Sequence, residues 1–190
     1  MADTLILASS SPRRKELMGY TGIPFEVITA EAEETGAGRP EELVMENARR
    51  KAGAVAEQHP GRLTLGADTI VYLDEDDQVL GKPRDRADAA RMLALLSGAW
   101  HTVYTGVCVI APDGRQFVRY DASRVLFTPL TPEEIDRYIA TGEPMDKAGA
   151  YALQGKGGMF VERIEGSYSN VIGLPMALVR RMLLDAGMKI

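Results

Sequence analysis

The chain has one cysteine among its 190 residues, Cys108, which excludes an internal disulfide. It lies in the strand-like run 103–110, where the ordinary reading is a small buried hydrophobe. Histidine is almost as scarce. His59 sits in a helix stop and His101 beside Trp100 in a strand, so no metal-ligand spacing, zinc centre or Ser-His-Asp arrangement can be read. No run approaches the ~20 apolar residues of a membrane span. The first residues lack the basic region and long apolar stretch of a secretory leader, so a cytoplasmic protein is expected. Positive charge is not in excess either: the net charge is −5, against the basic footprint of a general nucleic-acid binder. Any anion site must therefore be local. Two phosphate-binding fingerprints are also missing, the Gly-x-x-x-x-Gly-Lys-Ser/Thr loop and Gly-x-Gly-x-x-Gly.

What is present is enough apolar material for a core, 45% of residues, in a length that points to one domain, residues 1–190, or one domain with two lobes. Residues 5–8 read as a short buried strand. Ser11 is placed as an N-cap with Pro12 at the first helical position, opening a short helix to Met18. A strand over 24–29, an acidic loop over 30–39 and a long helix from Pro40 to a stop at His59-Pro60-Gly61 follow. Residues 63–67 form a strand leading to Asp68, and 69–73 continue it. Residues 74–78 make a polar hairpin tip. A helix capped by Asp85 ends at Ser97-Gly98. Two strands, 100–110 and 116–127, flank the turn Pro112-Asp113-Gly114. Thr131-Pro132-Glu133-Glu134 starts a helix to about Ala140. Residues 159–164 read as a strand and 175–186 as a final helix stopped by Gly187. Helices and strands mix irregularly, with hairpins, which favours a mixed, twisted α+β sheet with flanking helices.

Several polar groups fall at the ends of these elements. Ser9-Ser10-Ser11-Pro12-Arg13-Arg14 joins a strand to a helix start, where backbone N–H groups and two permanent cations suit a phosphate chain; surface arginines on a solvated helix start are the plainer alternative. Asp68 ends an apolar strand, so it can orient or deprotonate a water or ligate Mg²⁺, or it can simply form a turn. Lys51 shares a helix face with Asn47 and Ala48 and needs a partner or ligand, unless it snorkels. Lys82, between Gly81 and Pro83, can offset phosphate charge, although an isolated lysine usually faces solvent. Residues 143–155 mix acids, a lysine, a tyrosine and a glutamine with Gly, Ala and Pro: a poor core element, but a loop suited to holding polar side chains near a ligand.

Taken together these segments resemble the Maf family of nucleoside triphosphate pyrophosphatases. The resemblance is carried by Ser9-x-Ser11-Pro12-Arg13-Arg14, Ala48-x-x-Lys51-Ala52, Gly66-Ala67-Asp68-Thr69, Gly81-Lys82-Pro83, the long run Gly142-Glu143-Pro144-x-Asp146-Lys147-Ala148-Gly149-Ala150-Tyr151, Gln154-Gly155, and Gly166-Ser167-Tyr168-x-Asn170-Val171-x-Gly173-Leu174-Pro175. They stand in family order over nearly the whole chain. The resemblance implies a two-lobed α/β fold like that of inosine triphosphate pyrophosphatases, with a central cleft. It implies hydrolysis of a nucleoside triphosphate to the monophosphate and pyrophosphate with a divalent metal, Mg²⁺ or Mn²⁺. Asp68 would be the proton acceptor. Ser9, Arg13, Arg14, Lys51, Lys82 and Lys147 would hold the phosphates. Asp68, Glu143, Asp146 and, in an ambiguous register, Glu33 would make the acidic, metal-facing part. A homodimer and a link to septum formation and cell division are further family implications.

Two family subclasses differ at three places. A 7-methyl-GTP type carries Trp, Gln and Glu; a dTTP/UTP type carries Arg, Thr and Gln, as here in Arg13, Thr69 and Gln154. A cationic methylated guanine would favour a tryptophan face and a glutamate, whereas a glutamine amide can complement the N3–H and a carbonyl of uracil or thymine. The expected activity is dTTP and UTP hydrolysis. The alternatives are a nucleotide-sensing module without turnover in cell-division control, a 7-methyl-GTP-type enzyme, or a phosphatase releasing single phosphates.

Overall fold

The computed structural model describes residues 4–36 and 38–190; residue 37 of the expected 30–39 loop lies outside them. In chain order the elements are β1 (Leu5–Leu7), α1 (Pro12–Gly19), β2 (Phe25–Val27), α2 (Pro40–Gln58), β3 (Thr64–Leu73), β4 (Gln78–Leu80), α3 (Arg86–Leu96), β5 (Trp100–Ile110), β6 (Gln116–Phe127), α4 (Pro132–Ala140), β7 (Val161–Glu165), α5 (Tyr168–Ile172) and α6 (Met176–Asp185). The strands form one mixed sheet in the order β2-β1-β3-β5-β6-β7, with β4 paired to β3. β1 is parallel to both β2 and β3, whereas β4 and β7 pair antiparallel. The mixed α/β class expected from the sequence is the one observed.

The chain divides into two compact units. The first comprises residues 1–68, 105–121 and 173–190, the second 69–104 and 122–172. In the first, Leu5, Ile6 and Leu7 are all fully buried, as a parallel strand covered on both faces requires. Helix α2 lies against the strands on an unusually close seam. A Cβ on Gly66 would stand 2.7 Å from the Ala48 carbonyl oxygen, and one on Gly106 only 2.1 Å from that of Val44. Those two glycines let the helix backbone descend onto β3 and β5. The buried face of α2 carries Leu43, Val44, Asn47, Ala48, Ala52 and Val55. Cys108 is fully buried beside Ala48, Ala52 and Ile110, as the small-hydrophobe reading expects.

The second unit closes around Leu80, Leu93, Leu96, Val125, Phe127 and Tyr151. Asp85 caps α3 by accepting from the Asp88 N–H at 2.8 Å, and Thr131 with Glu134 completes a reciprocal capping box on α4. The 143–155 segment departs from its expectation as a poor core element. Pro144, Gly149, Ala150, Tyr151 and Ala152 are buried, and the Tyr151 ring meets Phe127 edge-on at 4.8 Å. One large aromatic among small residues gives no periodic signal, yet the small residues are what let the backbone reach the core. Two further boundaries differ. Residues 156–160 form a 3₁₀ turn, so the expected 159–164 strand begins only at Val161. The short helix α5 was not expected; the Ser167 hydroxyl accepts from the Asn170 N–H at 3.2 Å and starts it.

Candidate active site

In the first unit the geometry centres on Asp68. The sequence places it at a strand end; the structure puts it within β3, with 7% of its surface exposed. A buried carboxylate needs partners, and α2 supplies two from consecutive turns. Asn47 Nδ2 donates to Oδ2 at 3.1 Å and Lys51 Nζ donates to Oδ1 at 2.7 Å. Lys51 is therefore neither snorkelling nor idle. Its ammonium also pairs with Glu34 at 2.7 Å, so one cation bridges two carboxylates. Asn47 is fixed in turn by the loop before α2: it accepts from the Thr35 N–H at 2.8 Å and donates to the Thr35 carbonyl at 3.1 Å.

Ser9, Arg13 and Arg14 belong to the same unit. Arg14 Nε donates to the Gly173 carbonyl at 2.8 Å and Nη1 to the buried Ser9 hydroxyl at 3.1 Å. Ser11 stands at the N-cap without a side-chain capping bond; its own N–H donates to Ser9 at 3.3 Å. Burial pulls the Arg14 guanidinium down to about 10, with Asp68 and Glu34 opposing the shift and Arg13 adding to it. Those influences place Arg14 in the field of Asp68, where an incoming polyanion would find a desolvated cation. Of the acids in 31–34, the one that reaches Lys51 is Glu34. The Glu33 side chain is exposed and its carbonyl accepts from Arg50 at 3.1 Å.

Thr69, Lys82, Glu143, Asp146, Lys147 and Gln154 lie in the second unit. Lys82 and Gln154 are exposed. The Gly149 N–H donates to the Gly81 carbonyl at 3.1 Å, tying the lysine's turn to the 147–150 turn. Lys147 pairs with its neighbour Asp146. Glu143 accepts three hydrogen bonds: Tyr138 Oη–H at 2.8 Å and the Gly157 N–H at 3.1 Å on Oε1, and the Lys156 N–H at 3.1 Å on Oε2. Burial would raise its carboxyl; the N–H groups of Gly157 and Lys156, the Tyr138 hydroxyl and Lys147 outweigh that and hold it below the usual carboxylate range. Among the described residues no three of His, Cys, Asp and Glu gather to enclose a metal.

The family model described as Maf-like protein matches residues 4–186. The chain belongs to that family. A Bacillus cytotoxicus protein named dTTP/UTP pyrophosphatase is 53% identical over 186 residues, 96% of this chain and 96% of that protein. One of the same name from Bacillus thuringiensis subsp. konkukian is 51% identical over 181 residues, 94% of this chain and 93% of the relative. Among solved structures, the Staphylococcus aureus Ham1 protein superposes with a TM-score of 0.58 at 14% identity, covering 96% of this chain and 99% of that one. A Ham1 protein from Coxiella burnetii gives 0.57 at 13%, with 96% and 99% covered. Those two likenesses concern the fold, which is the inosine triphosphate pyrophosphatase-like one expected. Within this Maf-family chain, sequence reasoning left out Asn47, Glu34 and Tyr138 as site residues. Asn47 carried a signal, its four-residue spacing from Lys51 on one helix face. Tyr138 carried none, because its partners Glu143 and Ala152 lie past the end of α4, outside the helix pattern.

Proposed function

We propose that this protein hydrolyses dTTP and UTP to the nucleoside monophosphate and pyrophosphate. The observation that carries the reading is the 53% identity over 96% of the chain to a protein named dTTP/UTP pyrophosphatase, and the geometry gives it a physical basis. Asp68, oriented by Asn47 and Lys51, is the group that accepts a proton from the attacking water and aims it at the α-phosphorus. A carboxylate is a weak base, so orientation contributes as much as proton transfer. Arg13, Arg14 and the Ser9 hydroxyl bind phosphate oxygens. Lys51, Lys82 and Lys147 offset the charge that develops. Arg13, Thr69 and Gln154 set base selectivity, with the glutamine amide reading the uracil or thymine edge.

The donor set fits a hard divalent cation, Mg²⁺ or Mn²⁺. The ammonium of Lys51 already spans the Asp68 and Glu34 carboxylates, and such ions are held by one or two carboxylates plus substrate phosphates. Asp68 and Glu34 of the first unit are the proposed ligands. When bound, the ion neutralises phosphate charge and acidifies water. No described helix is long and apolar enough to cross a membrane; a cytoplasmic location and a homodimer are part of the proposal.

The test is a panel of UTP, dTTP, CTP and 7-methyl-GTP with Mg²⁺, with pyrophosphate and orthophosphate measured separately. UTP and dTTP should release pyrophosphate fastest. Orthophosphate alone would make the protein a phosphatase, binding without release a sensor, and faster 7-methyl-GTP cleavage a member of the other subclass. Gln154→Glu should lower activity on UTP far more than the affinity for inorganic tripolyphosphate.

A further inference from the structure

Around Glu143 the second unit contains a closed hydrogen-bond circuit that the proposed chemistry does not use. The Ala152 N–H donates to Tyr138 Oη at 3.1 Å, and Tyr138 Oη–H donates to Glu143 Oε1 at 2.8 Å. The same carboxylate then receives the N–H groups of Lys156 and Gly157, each at 3.1 Å. Both ends of the 152–157 turn are thus fastened to one tyrosine–glutamate pair, and Gln154 sits exposed at its middle. Two glycines make room for the fastening. A Cβ on Gly155 would stand 2.5 Å from Glu143 Oε1, and one on Gly157 would stand 2.6 Å from Tyr138 Oη. Gly155 has an extended backbone (φ −147°) that any residue adopts, so close approach rather than torsion is what requires glycine there.

We infer that Glu143, buckled through Tyr138, is a positioning residue that holds the 152–157 turn in the shape that presents Gln154 to the base, rather than a ligand of the metal. The inference rests on the dTTP/UTP reading for what Gln154 meets, while the buckle stands on the distances alone. A carboxylate with three protein donors has few free lone pairs left for an ion, and substitution by glutamine turns one acceptor into a donor facing an N–H. A base-reading amide requires such a fixed frame, since specificity falls steeply when a contacting group is misplaced.

Four proteins test this: wild type, Glu143→Gln, Tyr138→Phe and Gly155→Ala. The first readout is amide hydrogen exchange. In all three variants the N–H groups of 152–157 should exchange at least tenfold faster, with α2 and β3 unchanged. The second is the ratio of kcat/KM for UTP over CTP, expected to fall about tenfold, with most of the UTP loss in KM and with unchanged inhibition by inorganic tripolyphosphate. Tyr138→Phe and Gly155→Ala leave the glutamate in place, so a matching loss of selectivity marks the turn rather than the charge. Unchanged exchange at 152–157 would overturn the buckle. Faster exchange with an unaltered UTP/CTP ratio would overturn the positioning role, as would equal losses for UTP, CTP and tripolyphosphate. A Mg²⁺ requirement raised in Glu143→Gln but not in Tyr138→Phe would return Glu143 to the metal. If wild type releases no pyrophosphate from UTP, the dTTP/UTP reading fails, and the exchange result still decides the buckle.

Discussion

Asp68→Asn removes a carboxylate while keeping its size; its one remaining oxygen can still accept from Lys51, while the new amide NH2 faces the Asn47 Nδ2 donor. Loss of a positioned general base typically lowers rate about 10²–10⁴-fold. The expectation is therefore a fall of that order in kcat for UTP with little change in KM, measured as pyrophosphate release. A loss under tenfold would remove Asp68 from the reacting centre. Lys51→Met makes a different prediction: it leaves the buried carboxylate without its cation, which should cost about 1–3 kcal/mol in urea unfolding, and Lys51→Met/Asp68→Asn should recover part of it. At this scale the sequence was informative where a residue type and a helical spacing coincide, as in Ala48-x-x-Lys51. It was silent where the partner is remote. Nothing local ties Asn47 to Thr35 and Asp68, 12 and 21 residues away, or chooses Glu34 over Glu33.

Helix α2 holds the site because it lies close to the strands, and that closeness depends on glycine. Gly106→Ala would place a methyl 2.1 Å from the Val44 carbonyl oxygen. Overpacking of this kind costs about 1–3 kcal/mol, occasionally more, and by lifting α2 it should also loosen Asn47 and Lys51 from Asp68, lowering stability and kcat together. Gly53 lies in the same helix, and a methyl added there would meet nothing within 4 Å. Gly53→Ala should therefore stabilise by about 0.5–1 kcal/mol with activity intact. Thermal unfolding and pyrophosphate release on the two variants check the opposite signs. Elements with caps and long apolar periods were legible in advance: α2 from Pro40 to the His59 stop, α4 from its capping box, β5 and β6 around their Asp-Gly turn. The 3₁₀ turns of 143–160 and the five-residue α5 were not, because their backbone is fixed by individual side-chain hydrogen bonds rather than by an apolar period, those of Glu143 and Ser167 above all.

Acid stability of the molecule should separate into two windows that belong to different groups. His101 is fully buried, with Nε2 3.0 Å from Tyr151 Oη and its ring edge-on to Phe127. Burial lowers its pKa from 6.5 to about 3, only partly offset by the nearby Ala99 backbone. The folded state thus keeps the imidazole neutral at pH values where the unfolded chain protonates it. The unfolded state binds more protons, so stability falls as pH falls from 6.5 towards 3, with a slope approaching ~1.4 kcal/mol per pH unit from this one group. Glu46 and Asp88 act lower down. Hydrogen bonds from Arg49 and then Arg50 hold Glu46 at about 2, and the Arg84 N–H and then Arg91 hold Asp88 at about 2. Their contribution is present above the ordinary carboxylate range and is lost as pH falls towards 2, and the solvent exposure of the partner arginines keeps it small. Urea midpoints measured between pH 6.5 and 5 should therefore drop in wild type and stay nearly level in His101→Gln, even though that variant starts less stable at pH 7. An equal slope in the two proteins would mean that another group carries the early acid sensitivity and that the buried imidazole is protonated in the folded state.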